Sequence, residues 1–304
     1  MIKIEDVSYV AFKAPDLDEM SRFLVDFGMS TSLDNGCLYA HGLGPAPYLH
    51  MTEQGSPGFS ALGLRAVSVA DVKALGQAEG VEPYELQRPG GGVAVTLYDP
   101  DGYKIEILAG QKTVDEGALP VSDGWNDAYE KARLRRPKRL GRSAAHVVRL
   151  GHCVLGVSDF RRSERWYKER FGFITSDEIA VAPDVAIGAF MRCDRGDIPT
   201  DHHTLFLMQH PGGTGFHHAA FEVADVDDLL SGHDWLVQAG WKPEWGVGRH
   251  LLGSQIFDYW RDPWDHKLEH WTDGDLFTAA DGSRIATLGD LMSVQWGPDA
   301  PASM

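Results

Sequence analysis

The sequence predicts an α+β fold of two halves, each built from a pair of βαβββ modules. Three observations predict it: a near-repeat of the segments from Val7 and Gly151, a second from Leu64 and His218, and an Asp-Pro strand signature closing each half. Internal repeats of this length bear on architecture before any single residue does.

The first near-repeat sets VSYVAFKAPDLDEMSRFLVDFGM, from Val7, on GHCVLGVSDFRRSERWYKERFGF, from Gly151, without a gap. Each reads as a short strand, a polar loop and an amphipathic helix. Gly28 and Gly172 then stand where a glycine commonly stops a helix. The second sets LRAVSVADVKALGQAEG on HAAFEVADVDDLLSGHDWLVQAG. A strand there runs into Val-Ala-Asp-Val, with Asp71 or Asp225 placed to cap the helix that follows. The third parallels Asp99–Glu106 (DPDGYKIE) with Asp262–Glu269 (DPWDHKLE), a turn followed by strand alternation. The modules occupy about 1–57, 58–112, 145–211 and 212–275. An N-terminal domain without a metal site is therefore expected over 1–112, and a catalytic domain over 145–275. The Gly-, Pro- and charge-rich stretch 113–144 reads as a linker with one helix near Trp125–Arg135. Residues 276–304 read as a tail, either covering the site or loose.

At 304 residues the chain can bury two cores, and no apolar run approaches the ~20 residues of a membrane span. The opening MIKIEDVSYVAF lacks the apolar core of a signal peptide. Three scattered cysteines, Cys37, Cys153 and Cys193, point to free thiols in a reducing cytoplasm. A formal net charge of −16 repels phosphate backbones and anionic lipid, so neither nucleic acid nor membrane is an expected partner. The basic run Lys131–Arg142 reads as a solvated linker or an interface rim.

The repeat also acts as an internal control. On this alignment His152 falls on Ser8, His218 on Leu64 and Glu269 on Glu106. The fold therefore does not need the two histidines, which makes them candidates for function. Two neutral imidazoles and one carboxylate form the facial triad of non-haem iron(II) oxygenases. Strand alternation turns Cys153 and His217 away from that face. Each His pair leaves an alternative, His202 for His203 and His217 for His218, and spacing to the other motifs favours the second of each.

On LGHCVL (150–155), HHTLFLM (202–208), GFHHAAFEV (215–223), GRHLLGSQIFDYWRDP (248–263) and HKLEHWTDGD (266–275), the second half resembles the type I extradiol (catechol 2,3-) dioxygenase family. That family belongs to the vicinal oxygen chelate superfamily, with its glyoxalase-like fold. The first half resembles it more weakly. The resemblance implies Fe(II), or Mn(II) on the same ligand set, held by His152, His218 and Glu269. It also implies an acid-base histidine at His203, 15 residues before His218, with His250 and Tyr259 lining the site. The implied substrate is a catechol-type diol, cleaved by O2 beside its hydroxyls to a muconic semialdehyde-type product, in a homo-oligomer. A glyoxalase-type isomerase is the rival, and it would need a fourth protein ligand. A metal-free binding module is a further one. Trp245, Phe257, Trp260, Trp271 and Phe277 could form an aromatic wall, and Arg249 or Arg284 could meet a substrate carboxylate.

Overall fold

Four βαβββ modules account for most of the chain in a computed structural model describing residues 1–120, 124–210 and 212–304. Residues 121–123, within the expected linker, and residue 211, at the expected boundary of the third module, lie outside the described residues. The first module runs β1 (Ile4–Ala14), α1 (Leu17–Asp26), β2 (Ser30–Asp34), β3 (Cys37–His41) and β4 (His50–Gln54). The second runs β5 (Gly58–Ala66), α2 (Val69–Glu79), β6 (Tyr84–Glu85), β7 (Val93–Tyr98) and β8 (Lys104–Ala109). The third runs β9 (Val147–Val157), α3 (Phe160–Phe171), β10 (Ile174–Ala182), β11 (Val185–Arg192), β12 (Thr200–Asp201) and β13 (Leu205–Gln209). The fourth runs β14 (Gly215–Val223), α4 (Val226–Ala239), β15 (Lys242–His250), β16 (Ile256–Arg261) and β17 (Lys267–Thr272). After them come β18 (Leu276–Phe277), β19 (Arg284–Thr287), α5 (Leu288–Leu291) and β20 (Val294–Trp296).

Antiparallel pairs join the modules, β1 to β5 in an eight-stranded sheet and β9 to β14 in a ten-stranded one. The strand orders are β2-β3-β4-β1-β5-β8-β7-β6 and β19-β10-β11-β13-β9-β14-β17-β16-β15-β20. One face of each sheet carries the helices, and those faces share a single core. Phe23, Leu75, Tyr167 and Leu236, one from each long helix, meet Leu64 and Leu155 there. Burying a side chain of this size contributes roughly 1.5–3 kcal/mol, so the shared core couples the halves. Polar ties reinforce it: His270 Nε2 lies 2.7 Å from the Phe27 carbonyl, and Trp235 and Trp241 both donate to Asp26. The opposite faces carry separate small clusters, around Tyr9 and Tyr48 in one half and around Val154 and Phe206 in the other. No helix among the described residues is long and apolar enough to cross a membrane.

The structure corrects the register of the repeat. Asp16, Ser68, Asp159 and Asp225 cap the four long helices, each accepting a backbone N–H three residues on. Asp71 is not a cap: it lies inside α2 and accepts the Ser68 hydroxyl. Matching caps sets Asp16 on Asp159 and Ser68 on Asp225, which places Tyr9 opposite His152 and Ala61 opposite His218. Strand pairing agrees. Gly63 pairs with both Tyr9 and Glu106, as Ala220 pairs with both His152 and Glu269. Leu64, by contrast, points into the helix-side core. The Val-Ala-Asp-Val match therefore joins segments three residues out of step.

In the first half a guanidinium occupies the role of the cation. Tyr9 and Tyr84 donate to Glu106, each at 2.5 Å, and Arg88 pairs with the same carboxylate. Gly63 lets the Tyr9 ring lie against the sheet, because a Cβ there would meet that ring at 2.2 Å. Burial alone would raise the Glu106 pKa, but Arg88 and the two hydroxyls outweigh it and hold the group ionised.

One further expectation changes, and residues 276–304, left open above, are ordered. No helix forms near Trp125–Arg135, where Asn126 and Lys131 make an isolated bridge instead. Trp125 is half exposed and Tyr129 is 99% exposed, so the run has no apolar face to pack, and a helix this short is marginal without one. Residues 276–304 are not a loose tail: β19 joins β10 at one edge of the second sheet, and β20 joins β15 at the other. The segment is a strap from edge to edge, with α5 in its span.

Arg88→Met should strand Glu106 as an uncompensated buried charge and cost about 3–5 kcal/mol, read from the denaturant midpoint. Adding Glu106→Gln should recover most of that loss. A single variant as stable as the parent protein would show that Arg88 does not neutralise Glu106.

Candidate metal centre

Strand register builds the site. Tyr259 on β16 pairs with Glu269 on β17, Glu269 with Ala220 on β14, and Ala220 with His152 on β9. These residues form one row across the sheet. His218 lies two residues along β14 from Ala220 and so projects from the same face. The small side chain of Ala220 leaves room between the three larger ones. Cys153, next to His152, points into the helix-side core, as alternation requires.

His152 Nε2 and His218 Nε2 each lie 3.3 Å from the same Glu269 oxygen, Oε2. One donor atom from each of the three lies within 4.8 Å of the other two, and all three residues are buried. Two donors about 2.1 Å from a shared ion and at right angles sit about 3 Å apart, so the spacing suits a divalent cation. The carboxylate is buried at 0% exposure, and neither oxygen has a well-formed hydrogen bond. Such a group is costly to bury without a charge partner, and a cation bound to it would remove that cost. Burial by itself pushes the Glu269 pKa up, yet the imidazoles of His152, His218 and His250 outweigh it and hold it well below the carboxylate range. Burial lowers His218 to about 4, which keeps it a neutral donor.

The residues around this cluster are also in place. The His203 ring centroid lies 4.0 Å from that of His152. His203 Nδ1 is 3.1 Å from His202 Nδ1, and His202 Nε2 is 2.7 Å from Asp177. Burial drives the His203 pKa well below its usual value. His250 Nε2 is 3.1 Å from the Tyr259 hydroxyl and 3.6 Å from Glu269 Oε1. Burial, with Glu269 adding to it, raises Tyr259 well above 10 and keeps it a phenol. His203, not His202, turns toward the cluster.

His217 departs from expectation. A bulge between Phe216 and His218 rotates it out of strict alternation, so it lines the same pocket instead of facing away. Its Nδ1 is 2.7 Å from His218 Nδ1, and its Nε2 is 3.3 Å from Lys267 Nζ. A partner on the far nitrogen of a ligating imidazole fixes its tautomer and orientation. The sequence offered no signal for the bulge, nor for the Asp177–His202 link.

These groups open into a cavity of about 620 Å³. Of the five aromatic residues proposed as a wall, only Trp245 lines it. Trp260 is in the shared core, and Phe277 packs against Arg192 and His202. Neither Arg249, which pairs with Asp273, nor the exposed Arg284 reaches the lining.

Residues 149–270 match the profile of the Glyoxalase/Bleomycin resistance protein/Dioxygenase superfamily. The chain is 28% identical to metapyrocatechase 2 of Cupriavidus necator over 98% of its own length and 90% of that protein's. It is 26% identical to a biphenyl-2,3-diol 1,2-dioxygenase of Paraburkholderia xenovorans, covering 88% of each chain. Among solved structures, the Mn(II)-bound glyoxalase from Novosphingobium aromaticivorans superposes with a TM-score of 0.81 at 21% identity, over 100% of this chain and 95% of that one. At that identity the likeness is one of fold.

Wild-type protein should bind one divalent ion per chain, and His152→Ala, His218→Ala and Glu269→Ala should each lose it while keeping the parent circular dichroism. Elemental analysis measures this, and retention of the ion by His218→Ala would sink the ligand set. The acid stability of ion-free protein gives a second check. His218 binds fewer protons folded, at about 4, than unfolded, at 6.5, so stability should fall as pH drops through that window. The slope should be about 1.4 kcal/mol per pH unit for each such proton. Denaturant midpoints that stay flat between neutral and mildly acidic pH would contradict it.

Proposed function

We propose that this chain, whose residues 149–270 match the Glyoxalase/Bleomycin resistance protein/Dioxygenase superfamily, is an extradiol ring-cleaving dioxygenase. On this reading it opens a catechol-type diol with O2 beside the paired hydroxyls and releases a muconic semialdehyde-type product. The observation that carries the reading is one pocket lined by His152, His218, His203, His250 and Tyr259, with Glu269 buried 3.3 Å from the first two. Relatives aligned over nearly their whole lengths bear the names of diol-cleaving enzymes, which supports it.

His152, His218 and Glu269 would hold iron(II). When bound, the ion would supply Lewis-acid and redox chemistry to the diol and O2. The remaining chemistry is proton handling by the chain. His203, kept neutral by burial, accepts a proton from a diol hydroxyl and returns it later in the cycle. His202 engages its Nδ1, so Nε2 is the atom that exchanges the proton. Asp177 holds His202 in turn. Tyr259, a neutral phenol paired with His250, orients a substrate oxygen by hydrogen bonding. Mixed imidazole and carboxylate donors suit iron(II), and manganese(II) accepts the same set. Three buried, unpaired cysteines accord with a reducing cytoplasm, where we place the enzyme as a homo-oligomer. A glyoxalase-type isomerase would need a fourth protein ligand, and the cluster among the described residues has three.

Anaerobically iron(II)-loaded protein given a catechol panel should consume one O2 per diol and form a yellow product. Absence of uptake with iron bound would overturn the reading and turn attention to thiol hemiacetals. His203→Asn should keep the ion but lower kcat by ~10²-fold or more, the usual scale for a lost acid-base group. Wild-type turnover in that variant would remove His203 from the role.

A further inference from the structure

The geometry points to a substrate that carries an uncharged apolar substituent, an alkyl chain or a second ring, with carboxylated catechols rejected. The inference rests on the extradiol reading and narrows it. A cavity of about 620 Å³ lies in the middle of the roughly 300–1,000 Å³ range of pockets that enclose drug-sized ligands. A bare catechol is much smaller and would leave most of that space unfilled. The lining away from the metal cluster is mostly apolar, with Val181 from β10, Ile187 from β11, Leu252, then Leu288, Leu291 and Met292 on and beside α5.

The charge pattern says the same. Among the described residues no Arg, Lys, Asp or Glu lines the cavity. The nearby cations already have partners. Lys267 Nζ, behind the wall, donates to the Ser303 carbonyl at 2.7 Å and lies 3.3 Å from His217 Nε2. Arg249 donates to Asp273 and to the Ser254 carbonyl, and Arg192 to backbone carbonyls and Ser176. Gln209 and Gln255 are the neutral polar groups left in the wall besides the histidines and Tyr259. A carboxylate on the substrate would be buried with no cation to meet it, whereas each buried methylene should gain about 4-fold in affinity. The strap supplies half of the six residues named in this wall, so it sets specificity without touching the metal.

Two measurements on the iron(II)-loaded protein test this. They are anaerobic calorimetric binding, and kcat/KM, across catechol, alkylcatechols of increasing chain length, 2,3-dihydroxybiphenyl, 3,4-dihydroxybenzoate and 3,4-dihydroxyphenylacetate. Affinity should climb along the alkyl series, and preference between the longest alkyl diol and the biphenyl diol identifies which substituent fits. Carboxylated diols should be poorer by on the order of 100-fold or more than apolar ones of similar size, in both binding and kcat/KM. Carboxylated diols bound and cleaved within 10-fold of their apolar counterparts would overturn the inference while leaving the extradiol reading intact. Failure to cleave any diol would instead strike the extradiol reading. Leu291→Arg should shrink the gap by about 10-fold or more, chiefly through KM for the carboxylated diols. An unchanged gap in a folded variant would show that α5 does not set the selection.

Discussion

A buried carboxylate on the last strand of a βαβββ pair, and the positive charge it needs beside it, organises both halves of the molecule. Glu106 and Glu269 occupy the same place in the two sheets. Burial would neutralise either group if nothing opposed it. In the first half Arg88, Tyr9 and Tyr84 oppose it from within the chain. In the second, the imidazoles of His152, His218 and His250 oppose it, and with the space over Ala220 they leave a cluster whose spacing suits a divalent ion. One half thus answers its buried carboxylate with a guanidinium, and the other with imidazoles.

The division of faces lets this happen without loss of stability. The helix-side faces of both sheets merge into a single core, and cross-half bonds such as His270 to Phe27 pin them. Those faces carry the bulk of the apolar burial. The opposite faces are free to differ, a tyrosine cluster in one half and a histidine-lined cavity in the other. Because the helix side supplies most of the packing, polar groups that would be costly in a lone sheet are tolerated near the metal cluster.

The modules were legible because period, Asp-Pro turns and helix stops are written locally. His152, His218 and Glu269 were legible because a repeat shows which positions the fold leaves free, even though the alignment was out of step by one residue at His152 and three at His218. The conclusion is unaffected by the offset, because neither Ser8 and Leu64 nor Tyr9 and Ala61, their true counterparts, supply an imidazole. What could not be read depends on register and long-range pairing. The bulge that turns His217 inward has no sequence signature, and Asp177 meets His202 only because β10 carries it there. The strap was illegible for a similar reason. Its strands are two to four residues long and acquire order only from the sheet edges they join.

That strap has a consequence for how the molecule could diverge. Its residues reach the cavity from α5, whereas the candidate metal ligands sit on three central strands. Drift in the strap can therefore reshape the cavity while the histidine–carboxylate cluster stays fixed, so new ligands are reachable by few, nearly independent changes. The freedom has a limit, since β19 and β20 also cover the outer edges of β10 and β15. Bared edges invite pairing between chains. Selection on this segment must then satisfy two demands at once, and variants that loosen it too far would be removed by aggregation before any loss of catalysis could be felt.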